Sequence, residues 1–276
     1  MPAPAGIQGR YKRLDTGLRR RDELSGISSG QLMQEFFDWF RWLYDATGIN
    51  LTIFYDAFDR KRFVNGFMTT LHLAFSCVVL SVVIGVIGAW LQGSRLNFTR
   101  KIVYWYIQFF RNTPPLVQIY FFYFGVGHLI TGAGGVPLVT NIQWAIFALS
   151  LYAGAFNVEI FRSGIEAVPS ATIEAAESLG FSRLRAYALI VLPLAFRISL
   201  PALNNNLVNL VKTTSISYAI AVPEMLYVSN QIWSDSVNVP EMMNVLLICY
   251  VSLVGILVWI MHKWENAMRV PGIGAT

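Results

Sequence analysis

The chain has 276 residues, of which 55% are hydrophobic and only 13% charged, whereas a soluble domain carries roughly 25% charged residues. Nearly half of the 21 Lys and Arg lie in residues 1–65, and no basic stripe is interleaved with stacking aromatics, so the net charge of +5 does not point to nucleic acid. A membrane crossing needs about 20 mainly apolar residues, and the uncharged stretches 66–92, 112–158 and 242–261 reach that length. The composition excludes an ordinary soluble globule and predicts an all-α, polytopic protein seated in a lipid membrane.

Residues 1–62 form a basic and amphipathic N-terminal tail. Its basic run, Arg10 to Arg21, is not followed by a short apolar segment and small-residue cleavage site, so it does not read as a cleavable signal. The aromatic stretch 31–58 is interrupted by Glu35, Asp38, Arg41, Asp45 and Asp56, which suits an interfacial amphipathic helix. The alternative is a sixth membrane-entering element, which would turn the N-terminus inward.

The transmembrane region is read as 63–270. Its first span is predicted at 66–92, with Gly85 and Gly88 as small residues that let helices approach. A basic connection follows at 93–111, where Tyr104, Trp105 and Tyr106 suit the headgroup level. The next uncharged stretch is too long for one helix. Pro114 and Pro115 mark a start and the Gly/Pro-rich 131–140 marks a break, giving spans at 114–130 and 142–161.

The connection from Arg162 to Ala186 is polar, whereas 187–211 is apolar but interrupted by Pro193, Arg197, Pro201 and a series of Asn residues. Such groups at membrane depth face a bundle interior or a water-filled cavity. Residues 213–240 are mixed and read as a re-entrant stretch, and 242–262 is the last of about five spans. Lys and Arg fall on alternate connections, which places the 162–186 connection and the C-terminus in the cytoplasm and 131–141 outside. Cys77 and Cys249 each sit in an apolar stretch as small buried hydrophobes, and the three His form no metal-binding motif. No Lys follows a Gly, so the Gly-Lys step of a phosphate-binding loop is absent and the chain is not itself a P-loop ATPase.

Within the cytoplasmic connection, Pro169 and Ser170 precede Glu174-Ala175-Ala176-Glu177-Ser178-Leu179-Gly180. Ser170 suits an N-cap, the alanines favour helix, and Gly180 suits the left-handed residue that ends it. On spacing alone this short helix is either an ordinary connector or a docking element. Asn205 and Asn209 are one turn apart and Lys212 is three residues on, so they share a face. With Thr213 and Ser215 they are candidates for a substrate path, the other reading being contact with a partner or repair of a broken helix. Glu159 and Arg162 have ion-pair spacing.

The spacing Glu174-Ala175-Ala176, three residues, Gly180, nine residues, then Ile190-Val191-Leu192-Pro193 resembles the signature loop of bacterial ABC-importer permeases. Three further segments resemble the polar amino-acid branch of that family: Phe110 through Gln118, Glu159 through Arg162 and Asn209 through Ser215. The resemblance covers roughly 62–271, and the tail before it is longer than the usual lead-in. It implies a type I ABC-importer permease fold in the bacterial inner membrane, with 163–186 as the coupling loop. It also implies a permease without catalytic residues, metal or cofactor of its own. ATP and Mg would sit on a separate cytoplasmic ATP-binding subunit that receives Pro169 to Gly180. A second permease, identical or homologous, would complete the pathway, and a periplasmic amino-acid-binding protein would deliver the substrate. Arg269-Val270-Pro271-Gly272 and Asn209-Leu210-Val211-Lys212 resemble permeases for acidic amino acids, so glutamate or aspartate is preferred as cargo, with basic, neutral and opine substrates open. The rival reading is an ion-gradient-driven secondary amino-acid transporter, which would more often show internal repeats and mid-membrane carboxylates. A channel is a further rival.

Overall fold

The computed structural model of the protein describes residues 29–131, 135 and 137–268. The Arg10–Arg21 run and the segment from Arg269 to Gly272 lie outside the described residues, as does part of the 131–140 break. The chain divides into two compact units, Met1–Lys61 and Arg62–Thr276.

In the first unit, helix α1 (Ser29–Thr47) is followed by the single turn α2 (Thr52–Tyr55). Gly48 stops α1: its φ of 78° is left-handed, and its N–H bonds the Tyr44 carbonyl at 2.8 Å. The chain then folds back so that Phe40 stacks on Phe54 with centroids 4.4 Å apart, while Phe36 meets Phe40 edge-on at 4.9 Å. The predicted amphipathic helix is therefore shorter than 31–58, because Gly48 breaks it.

The long helices are α3 (Ala57–Gln92), α6 (Asn141–Glu166), α8 (Arg183–Ile220) and α10 (Val239–Met268), each apolar and long enough to cross a membrane. The shorter apolar helix α5 (Pro115–Thr131) makes the fifth span. All four of these long helices exceed the spans expected from the sequence, α8 and α10 at both ends. Helix α3 starts at Ala57 because the Asp56 carboxylate accepts the Phe58 and Asp59 N–H groups at 2.9 Å, so charged residues occupy its first turns. Helix α6 continues past Phe161 to Glu166.

Residues 93–111 are not simply a connection, because most of them form helix α4 (Asn97–Asn112). Three faces explain it. Val103, Ile107 and Phe110 are buried, Phe98, Ile102, Trp105 and Phe109 are exposed, and polar residues fill the third side. The break between α4 and α5 follows from Pro114, which cannot donate to the Phe110 carbonyl one turn earlier. The Gln118 side chain supplies that donor instead, bonding the Phe110 carbonyl at 2.9 Å and the Thr113 carbonyl at 3.0 Å. Helix α6 restarts the chain through a capping box in which Thr140 and Gln143 exchange side-chain and backbone hydrogen bonds.

Helix α6 is the centre of the second unit. In its most apolar window 61% of residues are buried, compared with 6% for α10. It presents Ala148, Ala153, Gly154 and Gly164 to its neighbours, and packs most extensively against α8. A methyl group on Gly85 or Gly88 of α3 would overlap Asn157 or Val158, and one on Gly164 would overlap Ser199 and the Ala195 carbonyl of α8. A polar chain crosses the same contact. Asn206 donates to the side-chain Oδ1 of Asn157 at 2.8 Å and to the Ala153 backbone carbonyl at 3.1 Å, and the Asn157 amide donates to the Ser81 hydroxyl at 3.2 Å. Spans α8, α6 and α3 are tied together at this point.

The stretch after α8 does not cross. Residues Thr214–Ile220 tighten the end of α8, Ala221 turns the chain at φ 57°, and α9 (Met225–Ser236) has only 12 residues. Buried Glu224 caps α9 by accepting from the Leu226 and Tyr227 N–H groups, and the Tyr250 hydroxyl of α10 donates to it at 3.0 Å. The Thr70 hydroxyl of α3 accepts the Met225 N–H at 2.9 Å. This stretch is a short polar-capped helix clamped between the first and last spans.

The Gly164 contact gives a direct test. In Gly164→Ala the added carbon has backbone as well as side chain against it, so the α6–α8 crossing must open. Overpacking of this kind costs about 1–3 kcal/mol. The detergent-solubilised variant should unfold at a clearly lower temperature, whereas Gly255→Ala, where nothing lies within 4 Å of the added carbon, should not.

Candidate functional site: a projecting helix and a polar face

Helix α7 (Ser170–Ser178) lies between the C-terminal end of α6 and the N-terminal end of α8. Pro169 occupies the N-cap position and Ser170 is the first helical residue, so Ser170 is not the cap. Proline serves there because its fixed φ suits the turn entering a helix. The other end is closed by backbone geometry. Gly180 has φ 84°, its N–H bonds the Glu177 carbonyl at 2.9 Å, and the Phe181 N–H reaches back to the Ala176 carbonyl at 3.1 Å. These two bonds form the Schellman arrangement.

One side of α7 is rooted. Ala176 is buried and Ile173 half-buried, and Ile173 packs on a small cluster of Val168, Val191 and Ala195. The other side is bare, with Glu174, Ala175, Glu177, Ser178 and Leu179 exposed. Leu179 is 79% exposed and Leu184 80%. Leu179, just past the end of α7, and Leu184, in the first turn of α8, are bare apolar side chains, and with the exposed carboxylates Glu174 and Glu177 they form a contact surface rather than a core. Leu184 was not a candidate from the sequence; its only signal there is an apolar residue within a charged connection.

Just above α7, Arg162 is held by two carboxylates of its own helix. It pairs with Glu159 (Nε to Oε2, 3.3 Å) and with Glu166 (Nη1 to Oε1, 2.5 Å). Glu166 was not anticipated, although its i+4 position was visible.

On α8, Asn205, Asn209 and Lys212 are all exposed on one face. Thr213 and Ser215 are half-buried, and their hydroxyls donate within their own helix, to the Asn209 carbonyl at 2.8 Å and the Lys212 carbonyl at 3.0 Å. Asn205 lines a cleft of about 310 Å³ between α8 and α10, together with Asn204, His262 and Glu265. Asn204 donates to Glu265 at 3.3 Å. Asn206, one residue on, turns to the interior network. The asparagine series therefore divides between internal bonding and an open polar face.

Residues 81–270 match the sequence profile of the family described as "Binding-protein-dependent transport system inner membrane component". The chain belongs to this family. The matched region contains the projecting helix, the Arg162 cluster and the polar face of α8. Relatives include the "Probable amino-acid permease protein YxeN" of Bacillus subtilis, 30% identical over 73% of this chain and 89% of its own length. The "Nopaline transport system permease protein NocM" of Agrobacterium fabrum is 32% identical, covering 75% of this chain and 89% of its own length. Among solved structures, one titled "Crystal structure of an amino acid ABC transporter with histidines" superposes with a TM-score of 0.69 at 25% identity, covering 75% of this chain and 94% of that one. The family fold is that of type I ABC-importer permeases, as the sequence resemblance implies.

The α7 terminus is testable by itself. An added Cβ at Gly180 meets nothing within 4 Å, so Gly180→Val acts only through its left-handed backbone, at a cost of about 1–2 kcal/mol. Amide exchange at Gly180 and Phe181 should accelerate roughly tenfold, with exchange in α6 unchanged.

Proposed function

We propose that the chain is the membrane-spanning subunit of an ATP-binding-cassette importer that takes up polar amino acids across a bacterial inner membrane. It works with a cytoplasmic ATP-binding subunit that holds ATP and Mg, a second permease subunit and a periplasmic amino-acid-binding protein. The observation that carries this reading is α7: a short helix rooted in the ends of two spans, closed by Gly180, with carboxylates and Leu179 bare on its outer side. A rigid element of this kind transmits a push from a docked subunit to α6 and α8 as one body.

The relatives support amino acids as the cargo class, since their names include nopaline, octopine, glutamine and histidine/lysine/arginine/ornithine transport. That range does not favour glutamate or aspartate over other polar amino acids. The ion-gradient-driven alternative is not favoured, because relatives bear names of permease subunits of ABC transporters.

Asn205, Asn209 and Lys212 supply amide and ammonium groups for an amino-acid backbone. Exposed at membrane depth, they need water or a partner permease around them, because lipid cannot satisfy them. The orientation follows the Lys and Arg pattern, with α7 cytoplasmic.

Two measurements test this. Ser170→Cys in intact cells should resist an impermeant thiol reagent and react after permeabilisation; labelling in intact cells would reverse the orientation. In vesicles containing the whole assembly, Glu174→Lys places a cation on the exposed side of α7. It should abolish substrate-stimulated ATP hydrolysis and uptake together while the permease still inserts. Normal uptake would reduce α7 to a connector.

A further inference from the structure

A second feature lies beside the Arg162 cluster. Helix α4 forms one wall of an open cleft of about 750 Å³, and the ends of α3 and α6 together with Tyr187 form the rest. From α4 come Arg100, Lys101, Tyr104, Gln108 and Arg111; from α6 come Glu159, Arg162 and Glu166. The balance of charge is uneven. Both carboxylates are bound by Arg162, and Arg111 faces Glu159 while lying over the Phe156 ring at 5.2 Å. Arg100 and Lys101 have no carboxylate partner among the described residues. The cleft therefore presents spare positive charge, with a phenol and an amide as further donors.

Its position decides what that charge meets. The cleft is at the α7 end of the spans, since Glu166 precedes α7 and Tyr187 follows it. On the same helix, immediately beside the polar wall, Phe98, Ile102, Trp105 and Phe109 recur every three or four residues and are all exposed, Trp105 to 69%. A helix with an apolar stripe next to a cationic groove, at the depth where the spans end, offers one surface to acyl chains and the adjoining one to a headgroup.

We propose that this cleft binds the phosphate headgroup of an anionic phospholipid from the leaflet on the α7 side, with Arg100 and Lys101 as the principal cations and Tyr104 and Gln108 as neutral donors. The acyl chains lie along Phe98, Ile102, Trp105 and Phe109. The proposal rests on membrane placement and not on the importer reading, so either can fail without the other. A bound lipid would brace α4 against the end of α6, one turn from where α7 departs.

The test is lipid retention by the purified full-length chain, measured by native mass spectrometry from detergent micelles. Phosphatidylglycerol should be retained in preference to phosphatidylcholine, and the preference should fall with added salt. Each basic residue near an anionic surface contributes roughly a factor of five. Arg100→Gln with Lys101→Gln should therefore weaken phosphatidylglycerol retention about thirtyfold, whereas Arg183→Gln with Arg185→Gln, which removes the same charge outside the cleft, should not. Equal loss in both double variants, or none in the first, would overturn the site. Calorimetric titration with inorganic phosphate distinguishes the sources. Phosphate binding that the first double variant abolishes, without any preference between the two lipids, would assign the cleft to a free anion and overturn the lipid.

Discussion

The constraint on which the second unit depends is the close approach of α3 and α8 to α6. Small residues make that approach possible: Gly85 and Gly88 on α3 face Asn157 and Val158, and Gly164 on α6 faces Ser199. In a membrane the hydrophobic effect does not hold apolar helices to each other, so contact area and interhelical hydrogen bonds must do so. Asn206, Asn157 and Ser81 provide such bonds at the point where the three helices meet. Glycine contacts set the distance and the asparagine chain sets the rotation, since each amide must face its partner. Helix α4 is fixed to α6 by the Tyr106 hydroxyl on the Leu151 carbonyl at 2.6 Å, whereas α9 is held by its ties to α3 and α10.

What could be read from the sequence was what the backbone requires locally. Pro114 and Pro115 favour the start of a helix, and Gly180 is the residue that tolerates a left-handed φ. The uncharged stretches have the length of a span whatever surrounds them. What could not be read was which distant groups meet. Gln118 is just one polar residue in an apolar helix until the Phe110 carbonyl, left without a donor by Pro114, is placed beside it. Asn204, Asn205, Asn206 and Asn209 are alike in sequence, yet Asn206 bonds inside, Asn204 reaches Glu265, and Asn205 and Asn209 stay open. The reading of 93–111 as a connection failed for a related reason. Its mean polarity conceals three separate faces, and only packing against α6 shows that one of them is core.

How α7 could move the spans follows from where it is rooted. Its buried side rests on Val168 and Ala195, and Ala195 also supplies the carbonyl that Gly164 approaches. The crossing of α6 and α8 and the root of α7 are therefore one packed region. A force on the exposed side of α7 reaches this region without passing through a flexible loop, because both ends of α7 are closed by backbone bonds rather than by long side chains. The crossing leaves no space for either helix to slide over the other, so displacement moves them together.

The outward surface of the bundle carries the complementary argument. Helix α10 is apolar over a full span, and only 6% of its most apolar window is buried, an exposure that lipid satisfies without cost. Helix α8 is different, because Arg197, Asn205, Asn209 and Lys212 are exposed along it, and hydrocarbon cannot hydrogen-bond them. A single copy thus has one face suited to lipid and another that lipid would leave unsatisfied. In the proposed assembly a partner permease, with water between, would satisfy these groups and set the polar face at the centre rather than at the rim. Under the proposed importer reading, substrate path and subunit contact would be the same surface: the groups that make the isolated chain a poor lipid-facing object would be the ones that accompany an amino acid across.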